Sequence, residues 1–401
     1  MEEWIAQSRG LRVRWTEGLD HGLSLCGAQQ PRRHRVNVLS IVVPTYNENQ
    51  TVRLLIDQLE EALRGLSYEV IFVDDSSDNT PEVLAQLCAD HPRVRCIHRE
   101  GQRGLATAVL EGFRLARGSV LAVMDADLQH PPEVLTRMYR EIGQGADVVI
   151  ASRHLPGGDD GGLHGIRKVI SRTARMIGKA ALHRVRSVSD PMSGFFMIRR
   201  QVIEGVHLNP VGWKILMEIV VKGRYSHLVE IPYAFRPRAA NESKMSPAEM
   251  INYLRHVARL VVQSPDDRRF WLFALVGISG VAVNTLLFAL LTRWRIFPET
   301  AAFVSGSLAM IWNFAWNCGL TWRDAPQSDP LGVTFAKYAA VALIGIAVNL
   351  VVLSVLFRLL DVPKEWANLT GIIGGALVNY RLNDRWTWRR VGHKRPRMRV
   401  S

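Results

Sequence analysis

The sequence predicts an α/β domain with a mostly parallel central sheet, followed by a four-helix transmembrane domain of two repeated hairpins. Three observations carry this reading. Short β-branched runs alternate with helical ones over residues 38–153, four long apolar stretches follow residue 265, and the second pair of stretches repeats signature residues of the first. Helical and strand periodicities are the primary signals of local structure.

Residues 1–36 are polar, basic and aperiodic, and read as an N-terminal extension. The main domain spans 37–245. It opens with the strand VLSIVVP, then an amphipathic helix from Thr51 to Leu66, the strand YEVIFVDD, the helix PEVLAQLCADH, the strand VRCIHR, the helix GLATAVLEGFRLAR and the strand VLAVMDAD; ADVVIASR at 146–153 adds a further strand. Such a βαβα order implies parallel strands joined by right-handed crossovers. Ligands of these sheets bind beyond the carboxyl ends of the strands. Three strands end there in polar clusters: PTYNEN (44–49), DDSSDNT (74–80) and DADLQH (125–130).

Residues 246–268 form an amphipathic segment. Ser246, Pro247 and Glu249 make a capping box with proline at the first helical position. Met250, Leu254, Val257, Leu260 and Val261 are expected on one face, with Arg255 and Arg259 away from it. Such a helix either lies in the membrane interface or packs on the main domain.

The membrane domain spans 269–390. Its apolar stretches cover 271–292, 300–322, 333–357 and 366–380, near the roughly 20 residues that cross a bilayer. Any one of them alone would also suit a buried core helix; four in succession favour the membrane. NFAWNCGLTWR (313–323) aligns without gaps to NYRLNDRWTWR (379–389), and GVAVN (280–284) to GIAVN (345–349). Each hairpin thus carries one Asn in its first helix and two near the end of its second, amides expected to hydrogen-bond between helices.

The formal net charge is +13. Arginine and lysine gather just before the first span and in the tail 391–401, which the positive-inside bias places in the cytoplasm. The N-terminus begins acidic, with no apolar core of signal-peptide length. The expected localisation is the cell (inner) membrane, with four spans and with the main domain and both termini cytoplasmic. No RNA-binding aromatic strand or zinc finger appears, so the basic charge points to no nucleic acid. The four cysteines (Cys26, Cys88, Cys96, Cys318) have no metal-ligand spacing and read as reduced thiols.

Asp125 and Asp127 sit at the end of an apolar strand. Alternate residues of an extended strand point to opposite faces, so a shared target requires a turn just past Met124. Two such carboxylates suit a hard divalent cation that takes its other ligands from water and a diphosphate. Helix caps and turns also collect aspartate; the neighbouring polar strand ends favour the metal. The DDSSDNT cluster suits recognition of a base and ribose, or a simple turn with Ser77 or Asp78 capping a helix. The absence of GxGxxG and GxxxxGK[ST] argues against nicotinamide enzymes and P-loop NTPases.

VPTYNEN, VDDSSDNT, RGLATAVLEGF, MDADLQHPPE, DPMSGFF, WKILMEI and ESKM resemble, in order and spacing, the family 2 glycosyltransferases of the polyprenol-phosphate (dolichol-phosphate) mannose synthase type. The membrane repeat is similar to GtrA-like domains. The resemblance implies a GT-A fold, a nucleotide-sugar donor, Mg²⁺ or Mn²⁺, and a membrane polyprenyl phosphate acceptor. It places the metal on Asp125, Asp127 and Gln129. It places the nucleotide sugar near Pro44, Tyr46, Glu48, Val73, Asp74, Asp75, Arg103 and Asp125, with Arg238 and Lys244 closing over donor and acceptor. Arg153, Arg167 and Ser171 match the positions holding the acceptor phosphate, and with Asp127 form the implied catalytic set. Arg103 stands where many relatives have Lys, and Asn241 replaces the usual Gly before ESK. The glycine-rich stretch GGDDGGLHGIRK suits a mobile lid.

The implied activity is inverting transfer of one hexose, foremost mannose from GDP-mannose, to the lipid phosphate. The same reaction with UDP-glucose or another donor is the alternative; a lipid-sugar flippase or scaffold with a vestigial transferase is the alternative of another class. A homo-oligomer is compatible with the sequence. A processive synthase is disfavoured, since QxxRW is absent.

Overall fold

The computed structural model describes residues 38–101, 103–159, 166–210, 212, 214–236, 247–325, 329–388 and 399–400, with backbone only for 166–168, 247–249 and 399–400. Its elements in chain order are β1 (Leu39–Thr45), α1 (Val52–Ala62), β2 (Tyr68–Asp74), α2 (Thr80–Asp90), β3 (Val94–His98), α3 (Leu105–Leu115), β4 (Val120–Val123), α4 (Glu133–Gly143), β5 (Val148–Ser152), α5 (Ile166–Ala181), β6 (Phe196–Arg199), α6 (Ile215–Lys222), β7 (His227–Pro232), α7 (Pro247–Gln263), α8 (Pro265–Arg293), α9 (Pro298–Trp316), α10 (Leu331–Leu359), α11 (Lys364–Leu382) and β8 (Arg399–Val400).

β1, β2, β4 and β5 are buried along their whole length, the pattern of strands covered on both faces. The sheet runs β3-β2-β1-β4-β6-β5-β7-β8. Only β6 is antiparallel, to both β4 and β5. Val52, Leu55, Ile56 and Leu59 give α1 a buried stripe at helical spacing. Gly112 of α3 lets that helix sit directly on β1, since a Cβ there would stand 2.2 Å from Val42 Cγ1. β2 and β4 lie on opposite sides of β1. The crevice outside their carboxyl ends is therefore a topological switch point. The β1–β4 pairing stops at Val42 and Val123, leaving the following residues of both strands free to diverge into loops.

α7 packs on the main domain. Tyr253, His256, Val257 and Leu260 are buried, and Tyr253 Oη donates to the Ala174 carbonyl at 2.5 Å. Of the expected apolar face, Val257 and Leu260 are buried and Met250 and Val261 pack against the same core, with Arg255 and Arg259 exposed; Leu254 departs from it, exposed with Ile251 and Val262, and Tyr253 takes an inner position.

α8 and α10 are long and apolar enough to cross a membrane, with mean hydropathies of 2.1 and 2.7 over 18 residues. Asn313 of α9 lies against Gly280 of α8, and Asn379 of α11 against Gly345 of α10; a Cβ on either glycine would come within 2.2 Å of the amide oxygen. Asn317 and Asn383 each accept a 2.8 Å hydrogen bond from the Thr four residues on, Thr321 and Thr387, inside their own π-helical turns, and Asn317 also hydrogen-bonds the Tyr338 side chain of α10, a bond between helices as expected. Trp322 and Trp388, just past these turns, stack face to face at 4.2 Å and 3°. At the start of α8, Asp267 accepts from the His183 backbone N–H at 2.8 Å, and Trp271 Nε1 donates to the Ala181 carbonyl at 3.0 Å. These bonds tie α8 to the main domain.

Candidate active site

Four strand ends meet at the switch point. Those of β1 and β2 are clipped together: Pro44 pairs with Val73 and Thr45 with Asp74 in register. Thr45 Oγ1 donates to Asp74 Oδ1 at 2.9 Å, and the Asn47 N–H to Ser76 Oγ at 2.7 Å. Asn47 holds a left-handed φ of 58° and caps Ser77 N–H with its side chain at 3.0 Å. Glu48 is half-buried, and its backbone N–H donates to Thr80 Oγ1 at 3.1 Å. Pro44 and Val73 are buried strand residues that set this geometry.

The two acidic residues after β2 have distinct places. Asp74 is fully buried and accepts from Thr45, Ser76 and His98, the last at 2.7 Å from Nδ1. Its oxygens brace the loop from beneath. Asp75 forms a two-pronged ion pair with Arg99, Nε to Oδ1 at 2.7 Å and Nη2 to Oδ2 at 2.6 Å, and accepts the Gly104 N–H at 3.0 Å. Arg99, the residue after β3, was not singled out in the sequence; nothing in VRCIHR marks it. Arg103 lays its guanidinium over the Tyr46 ring at 4.4 Å, an attraction worth about 0.5–2 kcal/mol depending on desolvation.

The loop after β4 makes the turn that two aspartates with a common target require. Leu128 takes a left-handed φ of 64°, and the Gln129 N–H donates to Asp127 Oδ1 at 3.2 Å. Gln129 Nε2 donates to the Arg236 carbonyl at 3.1 Å, while the Arg236 N–H returns to the Gln129 carbonyl at 3.1 Å. That leaves the amide oxygen of Gln129 as its acceptor. Gly194 faces Asp125, and a Cβ there would stand 3.3 Å from Oδ2. Two carboxylates and an amide oxygen beside a space kept open by glycine are hard oxygen donors of the kind that could hold Mg²⁺ or Mn²⁺.

His130, unmarked by sequence reasoning although it lies in the DADLQH cluster, is buried beneath this loop. Burial pushes its imidazole down to about 4, against the opposing influence of Asp127. It therefore stays neutral at physiological pH.

After β5, Arg153 pairs with Asp190 through Nε to Oδ2 at 2.8 Å and Nη2 to Oδ1 at 3.2 Å, and its guanidinium lies over Phe235 at 5.4 Å. Burial favours the neutral acid, but the charge and hydrogen bonds of Arg153 prevail and hold Asp190 below the usual carboxylate range. Burial opposes the charge of Arg153; Asp190 outweighs it and Asp125 adds to the same side, so this guanidinium stays protonated and feels the β4 loop. Ser189 donates to Glu230 at 2.7 Å and shares a 2.5 Å hydrogen bond with Ser152. Ser171 is half-buried on α5. The side chain of Arg167, and Arg238 and Lys244, lie outside the described residues, as does most of the glycine-rich stretch before α5.

Chemically, the crevice offers a carboxylate pair for a cation beside a guanidinium for an anion. Residues 40–206 match the family described as Glycosyl transferase family 2, and 272–395 the family described as GtrA/DPMS, transmembrane domain. The dolichol-phosphate mannosyltransferase of Pyrococcus furiosus is 40% identical over 351 residues, 87% of this chain and 99% of that protein. The enzyme of the same name from Saccharomyces cerevisiae is 36% identical over 236 residues, 56% of this chain and 86% of its own. The polyprenol monophosphomannose synthase of Mycolicibacterium smegmatis is 33% identical over 239 residues, 57% of this chain and 88% of its own.

Proposed function

The chain belongs to the family 2 glycosyltransferases of the dolichol-phosphate mannosyltransferase type, and from that premise we propose that it transfers mannose from GDP-mannose to a membrane polyprenyl phosphate. The observation that carries this is the match to 99% of the Pyrococcus furiosus enzyme, membrane portion included.

The site geometry supports the chemistry. A phosphate monoester has a second pKa near ~6, so the acceptor is substantially dianionic at neutral pH and can attack the sugar carbon without a protein base. The new bond forms between a phosphate oxygen and the anomeric carbon as the bond to the donor diphosphate breaks. Attack opposite that leaving group inverts the carbon. The protein's task is to bring two anions together. Arg153, fixed by Asp190, presents its charge to the acceptor phosphate, with Arg167 and Ser171 assigned there by sequence. Arg103 and Tyr46 flank the nucleotide; Asp75 and Arg99 order the loop between them. Asp125, Asp127 and Gln129 would hold Mg²⁺ or Mn²⁺, which offsets charge on the departing diphosphate. Arg238 and Lys244 are assigned by sequence to close over donor and acceptor.

The membrane arrangement follows the same reading: α8, α9, α10 and α11 as four spans in two like hairpins, with catalytic domain and tail cytoplasmic. Supporting it, the glycine-to-asparagine contact of the first hairpin recurs in the second, and β8 pairs in parallel with β7 at the sheet edge, returning the chain to the catalytic domain after α11. The exposed face of α7, with Ile251, Leu254 and Val262 beside Arg255 and Arg259, suits the surface of an anionic bilayer. The test of function is metal-dependent passage of mannose label from GDP-mannose into the lipid phase.

A further inference from the structure

The imidazole of His130 is 2% exposed and walled by three aromatic rings: Phe195 stacked at 4.8 Å, Phe235 edge-on at 5.7 Å and Tyr233 edge-on at 5.9 Å. Within this apolar box its Nδ1 accepts the backbone N–H of Asp125 at 3.0 Å. An accepting Nδ1 carries no proton, so the ring is the Nε2–H tautomer. That second nitrogen faces Oδ2 of the same aspartate at 3.8 Å, beyond direct hydrogen-bonding distance. Gly194 completes the enclosure, since a Cβ there would stand 3.3 Å from Asp125 Oδ2 and 3.6 Å from His130 Cε1.

We propose that His130 is a positioning residue: as a fixed hydrogen-bond acceptor it sets the backbone of Asp125, and through it the direction in which that carboxylate meets the divalent cation. The apolar box makes the placement rigid. The ring is held on its faces and edges by the three aromatic rings while its Nδ1 holds the Asp125 peptide N–H. Loss of the acceptor leaves a buried N–H without a partner, which the loop relieves by turning Asp125. Groups that orient metal ligands in this way change metal affinity by roughly 10- to 100-fold when removed. The inference rests on the reading of Asp125, Asp127 and Gln129 as the cation site.

The test uses the full-length protein in detergent and titrates Mn²⁺, counted as free ion by electron paramagnetic resonance, without any sugar donor. Asn and Gln side chains separate the two ring nitrogens: the amide oxygen of Asn takes the place of Nδ1, and that of Gln the place of Nε2. His130→Phe and His130→Gln are expected to weaken Mn²⁺ binding at least about tenfold. His130→Asn is expected to keep it within about threefold, because the acceptor is retained. KM for GDP-mannose follows the same order, with a smaller change in kcat. Asp125→Asn and Asp127→Asn serve as references. Normal Mn²⁺ binding by His130→Phe, with binding lost in Asp125→Asn, would overturn the role of His130 and leave the cation site standing. Equal losses in folded His130→Asn and His130→Gln variants would overturn it as well. Unchanged binding in both aspartate variants would remove the cation site itself. If His130→Phe fails to fold, the contrast between Asn and Gln decides alone.

Discussion

Arg153 and Asp190 meet in a two-pronged ion pair, 37 residues apart in sequence, in which Asp190 is buried and Arg153 retains 20% exposure toward the crevice. The aspartate fixes the plane of the guanidinium, and the arginine keeps the aspartate ionised. The pair thus presents one oriented positive charge at the position the proposed reaction assigns to the acceptor phosphate.

Asp190→Ala leaves a largely buried cation without its partner. It is expected to cost about 3–5 kcal/mol of stability and to raise KM for polyprenyl phosphate more than KM for GDP-mannose. Asp190→Asn, which can still accept from Nη2, is expected to cost less in both respects. Denaturant melts and lipid titrations measure the two effects; an unchanged midpoint for Asp190→Ala would contradict the pairing.

The same pair fixes the sign of a pH dependence. Asp190 titrates below its unfolded value of about 3.9, so its contribution is fully present above that pH and is lost as the pH falls through the folded value. The stability gap between the native protein and Asp190→Asn is therefore expected to be constant from pH 7 to pH 5. It should shrink below about pH 4. A gap that widens on acidification would contradict the assignment.

Asp127 is 5% exposed at the β4 loop and accepts the Gln129 N–H. Asp127→Asn keeps the shape and removes the charge. Transfer is expected to fall by at least about 100-fold, the scale of losing one preorganised electrostatic contribution, with melting temperature little changed. Activity within a few-fold of normal would contradict a role for this carboxylate at the reacting centre.

Arg103 lies over the Tyr46 ring at 4.4 Å, at the place the proposed reaction assigns to the nucleotide. Tyr46→Leu removes the ring face and is expected to raise KM for GDP-mannose by about 3- to 10-fold, in keeping with a cation–π contact of 0.5–1 kcal/mol or more. Arg103→Lys should be milder, because the charge over the ring is retained. Steady-state kinetics on both variants makes the comparison.

In the membrane portion, a Cβ at Gly345 would meet the Asn379 amide at 2.2 Å, whereas one at Gly306 would meet nothing within 4 Å. Gly345→Ala is expected to destabilise the α10–α11 hairpin by about 1–3 kcal/mol, the usual cost of overpacking. Gly306→Ala should be neutral. Thermal unfolding in detergent distinguishes them, and equal effects would contradict the packing.

The central sheet was legible because its strands are continuous apolar runs bounded by polar clusters, and the DAD pair because it stands at a strand end. β6 was not: FMIR is four residues long, and its antiparallel insertion between β4 and β5 leaves no periodic trace. Asp75 was assigned to the nucleotide with no partner named, and Asp190 appeared only within the DPMSGFF stretch. Their partners Arg99 and Arg153 lie 24 and 37 residues away, and spacing says nothing about such pairings. His130 was hidden for a related reason, since its role depends on Phe195, Tyr233 and Phe235 closing around it from two other segments. In α7 the periodicity gave the helix and most of its inner face, Met250, Val257, Leu260 and Val261, but included Leu254 and left out Tyr253 and His256, which count as polar in a pattern yet are buried in the domain.

The most direct measurement incubates the purified full-length protein with polyprenyl phosphate and either Mg²⁺ or Mn²⁺, supplies labelled GDP-mannose, UDP-glucose and UDP-galactose in parallel, and counts label in the organic phase. Metal-dependent label from GDP-mannose alone is the predicted result. Label from a uridine donor instead, or none from GDP-mannose with the protein folded, would contradict the proposed reaction.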